Sequence, residues 1–398
     1  MVLRRSAAQR SRDVIVGIDA GNVDVRVAIA AMHSDAGDAW DGAADAVRVL
    51  GFGVATAQGI RRGEVVDARR LGAVIRAAVA QAEQAAGHRV LGAYFSIPLG
   101  QLHGGAVSQR SGRLLLSTPA AVREMTHSAI EHATVWQRVA AAAGVEIVGI
   151  VPSVLAASAA VMPPNASAPG VVVECGAEHT SVAIFVGGSP VSLGAIPIGG
   201  DHITRDLAAI LNITPMEAER LKFEVANVRA NVSEIEVLVQ GADGNRTSVS
   251  VALIAAIITA RVDQILRHVH EMVRPALASS SVRDRRTGLG GAVGEVVICG
   301  GGATLSGMAQ ITRTALAMPV RIAGAWGVSG PAAVQSPAYA PVLGLLRWRM
   351  SVDATSETAH SGRRVVAVGA QSRNSDPIGV QVKLGQNRWQ AWLREFLP

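Results

Sequence analysis

Aromatic side chains are scarce in this chain, at 3% for Phe, Trp and Tyr together. Single-stranded nucleic acids are held largely by base stacking on such rings. Their scarcity argues against a nucleic-acid partner, despite an isoelectric point near 10.2. Cysteine is almost absent. Cys175 and Cys299 stand alone, each after an apolar run, which suits a reducing compartment and excludes a disulfide scaffold. Lysine is confined to Lys222 and Lys383, with arginine at the other basic positions. No apolar run approaches the ~20 residues that span a bilayer. The longest, Val251 to Ala260, reads as a buried helix segment. Residues 1–12 carry Arg4, Arg5, Arg10 and Arg12 with no apolar stretch behind them. They read as a disordered basic tail rather than a secretory signal.

What the sequence does have is apolar bulk. Hydrophobic residues make up 49% of 398, enough for a large core, and the length predicts two lobes or more. The net charge of +6 is modest and fits weak attraction to anionic lipid about as well as attraction to nucleic acid. Val14 to Ile18 and Val25 to Ala31 predict a hairpin around a glycine-containing turn. Ala68 to Ala86 has helical periodicity, with Gly87 as its stop. Val90 to Ile97 predicts the next strand. Gly170 to Val173 and Val182 to Val186 repeat the opening strand-turn-strand pattern, which points to a duplicated α/β architecture. Asp201 is a candidate N-cap for a helix to Leu211. Pro215 opens a second helix. Asp243-Gly244 predicts a hairpin turn, and a long helix follows to about Ala278.

Three turns combine glycine with the end of an apolar strand: Asp19-Ala20-Gly21-Asn22, Glu174-Cys175-Gly176-Ala177 and Cys299-Gly300-Gly301-Gly302. Backbone amides in such turns can approach phosphates or a nucleoside, because no side chain intervenes. Around them the chain resembles the FtsA family of bacterial cell-division proteins, within the actin-like ATPase superfamily. The resemblance is carried by Gly17-Ile18-Asp19-Ala20-Gly21, by Gly51-Phe52-Gly53, and by Gly59 to Asp67. In the second half it is carried by Ile198 to Thr204, by Ala218-Glu219-Arg220-Leu221-Lys222, and by Val297 to Met308. The second-half motifs look most like those of alphaproteobacterial members.

The resemblance implies an actin-like, ribonuclease H-like duplicated fold with two lobes and a central nucleotide cleft. Its implied divisions are 13–98 and 137–168 for the first lobe, with a shortened inserted subdomain at 99–136. The second lobe would have its core at 169–215, an outer subdomain at 216–294, and core plus a return helix at 295–350. A flexible linker (351–384) and an amphipathic membrane-targeting helix (385–398) would follow. ATP with Mg is the implied cofactor. Asp19, Gly21, Asn22, Glu174, Gly176 and Ala177 would lie on the phosphate loops. Glu219 and Lys222 would face the ribose, and Gly300, Gly301, Gly302 and Thr304 the adenine side. The plainer alternative for Glu219 and Lys222 is an exposed ion pair one turn apart.

The loops depart from the family pattern. Asn22 and Asp24 stand where a hydroxyl residue and a lysine are usual, and Glu178 stands where glycine is usual. Carboxylates there repel phosphate. Ser153 to Ser158 offers no Glu or Gln to position a water. These departures predict weak nucleotide binding and negligible hydrolysis, with no catalytic residue and no resident metal site of the protein's own.

Near the C-terminus, Trp389, Trp392, Leu393, Phe396 and Leu397 fall within roughly 140° of arc on a helix, with Arg388 and Arg394 outside it. Aromatics on an apolar face flanked by arginine suit an interfacial helix. The family reading is therefore a peripheral protein on the cytoplasmic face of the inner membrane, at the division site. It would tether FtsZ through its C-terminal tail, work with other division proteins at the septum, and self-associate into filaments. A PilM-like scaffold shares the fold without such a terminal helix. A kinase of the superfamily would need intact phosphate loops.

Overall fold

The computed structural model describes residues 14–31, 47–99, 114–116, 134–163, 170–186, 188–225, 235–280 and 294–348. Residues 1–12 and 351–398, with the tail, linker and terminal helix assigned to them, lie outside the described residues.

In chain order, β1 (Val14–Ala20), β2 (Asp24–Ala31) and β3 (Val47–Thr56) form an antiparallel meander. A small hairpin, β4 (Ile60–Arg61) and β5 (Glu64–Val65), is followed by α1 (Ala68–Ala86) and β6 (Gly92–Ile97). Then come β7 (Leu114–Leu116), α2 (Thr134–Ala143), β8 (Glu146–Pro152) and α3 (Ser153–Val161). The second half opens with β9 (Gly170–Cys175), β10 (Thr180–Val186) and β11 (Ser189–Ile196), again antiparallel. It continues through α4 (Gly200–Leu211), α5 (Pro215–Val225), β12 (Glu236–Gln240), β13 (Arg246–Ser250) and α6 (Val251–Ser280). Last are β14 (Val296–Cys299), α7 (Met308–Leu316), β15 (Val320–Ile322), β16 (Val328–Ser329) and helix α8 at 340–348.

The first sheet is ordered β16-β3-β2-β1-β6-β8 and the second β15-β14-β9-β10-β11-β7. Within each, three antiparallel strands continue into two parallel ones: β3-β2-β1-β6-β8, and β11-β10-β9-β14-β15. That is one unit used twice, as the repeated strand-turn-strand pattern implies. Helix α1 is capped by Asp67, whose carboxylate accepts from the Arg70 amide, and ends on left-handed Gly87. Leu71, Ile75, Ala78, Val79 and Ala82 bury its inner face. Helix α3 is buried on every side. It packs against strands of both sheets and joins the two lobes.

Four details differ from the sequence reading. Strand β7 comes from the segment assigned to the inserted subdomain, yet it pairs with β11 at the edge of the second sheet. Strand β16 comes from the segment assigned to the second-lobe core, and α8 is its return helix. β16 pairs with β3 of the first sheet, and Val342, Leu343, Leu345 and Leu346 of α8 are buried in the first core. Asp201 is not the N-cap of α4. Gly199 is, and the Gly200 and Asp201 amides donate to the carbonyls of Gly176 (3.0 Å) and Ala177 (2.8 Å), so the second turn caps the helix in place of a side chain. The apolar run at the start of α6 is buried on one side only. Val251, Ile254, Ile257 and Ile258 face the second core while Leu253 is exposed. Among the described residues no helix is long and apolar enough to cross a membrane.

Candidate functional site

The two sheets present corresponding turns to one cleft. The β1–β2 turn is closed by the Gly21 amide donating to Asp24 O at 3.1 Å. Asn22 Oδ1 accepts from the Gly63 amide at 2.9 Å, which ties the turn to the β4–β5 hairpin. The second turn, β9–β10, is closed in the same way by Gly176 N to His179 O at 2.9 Å. A Cβ on Gly63 would lie 2.9 Å from His179 Cε1. The hairpin thus touches both turns.

Asp19 ends β1, is buried, and accepts a hydrogen bond from Ser96. Burial pushes its carboxyl up from the usual range, with Arg26 opposing. Glu174 ends β9 and accepts from Ser153 Oγ at 2.8 Å. Burial, then the nearby Asp19, pushes its carboxyl up to about 8. Burial lowers the pKa of His179, and its Nδ1 has no hydrogen-bond partner. Cys175 and Cys299 are buried and free. Burial pushes the Cys175 thiol up to about 12 and Cys299 up as well, so neither is a ready nucleophile.

Lys222 is not on an exposed helix face. Its side chain is buried, and Nζ donates to Glu219 Oε2 at 2.6 Å, Thr204 Oγ1 at 3.0 Å and the Gly200 carbonyl at 3.3 Å. Glu219 is the solvent-facing member of the pair, with 45% of its side chain exposed. Across the cleft, the Gly300 amide donates to Pro337 O at 2.9 Å. Thr304 Oγ1 closes the following turn onto Gly301 O at 2.7 Å.

Every cleft residue singled out from the sequence lines this one cavity of about 280 Å³: Asp19, Gly21, Asn22, Glu174, Gly176, Ala177, Glu219, Lys222, Gly300, Gly301, Gly302 and Thr304. The volume lies just under the ~300–1,000 Å³ of small-molecule sites. The repulsion expected from Asp24 and Glu178 is offset. Asp24 does line the cleft, but its carboxylate accepts from Arg26 Nη2 at 3.0 Å. Glu178 stays off the cleft wall and pairs with Arg205 at 2.7 Å. The sequence reading missed Arg26, which also lines the cleft. It lies directly opposite Asp19 in the β1–β2 register, with Nη1 3.7 Å from that carboxylate and its guanidinium 5.3 Å from the Tyr339 ring centroid. Its alternation with Asp24 on β2, two residues apart, was the available signal. Among the described residues, no group of three or more His, Cys, Asp and Glu is placed to share a metal ion. Trp389, Trp392, Leu393, Phe396 and Leu397 lie outside the described residues.

Residues 171–344 match the family model for cell division protein FtsA. The chain is 32% identical over 231 residues to cell division protein FtsA of Rhizobium meliloti, covering 56% of this chain and 47% of that one. It is 23% identical to FtsA of Pseudomonas aeruginosa over 96% of this chain and 99% of the relative. For the more similar of these, the alignment spans about half the relative's length. Among solved structures, a PilM–PilN type IV pilus biogenesis complex superposes with a TM-score of 0.57 at 15% identity, covering 84% of this chain and 98% of that one. MreB 5 of Spiroplasma citri bound to AMPPNP gives 0.53 at 14%, over 88% of this chain and 98% of that one. The fold is α/β and actin-like.

Proposed function

We propose that this FtsA-like protein is a cell-division adaptor that holds FtsZ filaments at the cytoplasmic face of the inner membrane and helps assemble the septum. The observation that carries the reading is the FtsA match over residues 171–344, which takes in the second side of the cleft and α4 to α6. The C-terminal tail of FtsZ would bind the outer part of the second lobe, at about Phe223 to Leu289. Arg267 and Arg274 are exposed there on α6 and can meet an acidic peptide. Arg261 is already engaged by Asp206, at 2.6 and 2.8 Å, and fixes α6 to α4 instead. Residues 385–398 would supply the lipid anchor, and contacts between copies would build filaments.

In this reading the cleft takes ATP as a conformational ligand and hydrolyses it weakly or not at all. The glycine turns leave backbone within reach of phosphates and base. Beside Glu174 the chain provides Ser153 rather than a second carboxylate or amide that could orient a water. A Mg ion fits less well, because Arg26 already engages the carboxylates of Asp19 and Asp24.

The test is a pull-down of the full chain with FtsZ and with FtsZ lacking its C-terminal tail. Retention of the intact protein and loss of the tail-less one is expected. Equal retention of both, or crosslinks from the tail to the first lobe, would refute the mapping.

A further inference from the structure

We propose that the guanidinium of Arg26 is a built-in counter-cation of the cleft, so that nucleotide phosphates bind there without a divalent metal. The proposal rests on the reading that the cleft holds a nucleotide, and it concerns what neutralises that ligand.

Two cationic side chains line the described cleft, Arg26 and Lys222. An ammonium has three donors. Lys222 directs its Nζ at Glu219, Thr204 and the Gly200 carbonyl, so it has none left for a ligand. A guanidinium has five. Arg26 donates from Nη2 to Asp24 at 3.0 Å, and its Nη1 lies 3.7 Å from Asp19; its Nε is buried out of a ligand's reach, so the spare donors are the remaining Nη hydrogens. It is the cleft cation with donors to spare. Its planar fork suits a phosphate's paired oxygens, and its Cζ lies over the Tyr339 ring, 5.3 Å from the centroid.

The same geometry disfavours a metal. Mg requires near-octahedral oxygen ligands at ~2.0–2.1 Å. Asp19 and Asp24 flank Arg26 on adjacent strands, and Glu174 is bonded to Ser153. A divalent ion placed among them would have to displace Arg26 or sit beside its positive charge in a largely buried site. The one guanidinium engages both aspartates and offsets part of their charge. An incoming phosphate can take the free donors of Arg26 without breaking those contacts.

The experiment is a titration of the full chain with fluorescent ATP and ADP analogues, once in magnesium chloride and once in EDTA. Affinities within about threefold of each other are expected, since removing the metal removes no ligand contact. Loss of at least about tenfold in EDTA would overturn the proposal and leave the nucleotide reading standing. Binding under neither condition would overturn both. Arg26→Gln should weaken binding in EDTA by about tenfold or more, as expected for a lost charged hydrogen bond. Magnesium should restore part of that loss, because Asp19 and Asp24 are then released. A folded Arg26→Gln protein that binds like wild type in EDTA would refute the assignment. If that variant does not fold, Arg26→Lys, which keeps a cation, should still bind in EDTA, and a metal requirement there would count against it.

Discussion

A Cβ at Gly300 would lie 2.5 Å from the carbonyl oxygen of Cys175, and the backbone there has φ of 85° and ψ of 173°. Only glycine occupies that region without strain, so Gly300→Ala is expected to cost about 3 kcal/mol or more in denaturant unfolding. One residue on, a Cβ at Gly301 would meet nothing within 4 Å. Gly301→Ala should change stability by no more than about 0.5 kcal/mol. It should nevertheless weaken a nucleotide analogue measurably, because the added methyl enters the space of the ligand. Unchanged binding would remove Gly301 from the adenine side. Glu174 gives a pH test. Its folded pKa of about 8 lies above the ordinary 4.5. The unfolded chain therefore releases this proton first as pH rises, and the folded state is penalised progressively between those values, not below them. Glu174→Gln should raise stability by about 2 kcal/mol near pH 9 and leave it unchanged near pH 4. A gain of equal size at both pH values would show that ionisation is not the cause. At this scale the glycines and cleft acids were legible, because strand-then-glycine is a local pattern. The partner of Asp24 is harder to read, since a carboxylate alone looks repulsive until Arg26 on the same strand face is counted. The partner of Glu178 lies 27 residues away and is set by how α4 packs.

Elements with their own periodicity and end signals were the readable ones. Helix α1 runs from Ala68 to Ala86 with its Gly87 stop, and the hairpin around Asp243-Gly244 formed as its turn dictates. Strands β7 and β16 have three and two residues, too few for alternation to register. Their places come from sheet edges formed by distant segments. The N-terminus of α4 misled for a related reason: loop carbonyls made a side-chain cap unnecessary. The return of the chain to the first lobe rests on α8. There a Cβ at Gly344 would fall 1.7 Å from the carbonyl oxygen of Ala156 on α3. That contact requires helix-on-helix approach with no side chain between. Gly344→Val should therefore push α8 off α3 at a cost of about 3 kcal/mol or more. Trp348, buried on α8, should then shift its emission to longer wavelength. A variant with wild-type melting and emission would mean that α8 does not pack this way in solution.

At the scale of the whole molecule, the proposed tether would have its FtsZ-binding surface on the second lobe and its lipid anchor at 385–398. On that proposal the outer part of the second lobe would face the filament, while the described residues end at 348 on a helix buried in the first core. The proposed anchor, 385–398, would follow that helix. Burying Trp389, Trp392, Leu393, Phe396 and Leu397 at a membrane interface gains several kcal/mol at about 25 cal/mol per Å². Ordering so short a segment into a helix takes back part of that, since it is not helical in water. One copy should therefore bind weakly and reversibly. Copies aligned on one filament bind far more tightly, because each attached anchor raises the effective concentration of the next at the surface. Arg388 and Arg394 add attraction to anionic lipid, reduced by salt and partly offset by Glu395. Truncation after Leu384, or Trp392→Glu, should abolish co-sedimentation with anionic liposomes and leave the circular dichroism and melting of the folded body unchanged. Adding FtsZ filaments should strengthen the wild-type protein's attachment and do nothing for the truncated one. If the truncated chain still sediments with liposomes, the attachment resides elsewhere, with Arg4 to Arg12 the first segment to delete, and the terminal anchor is refuted.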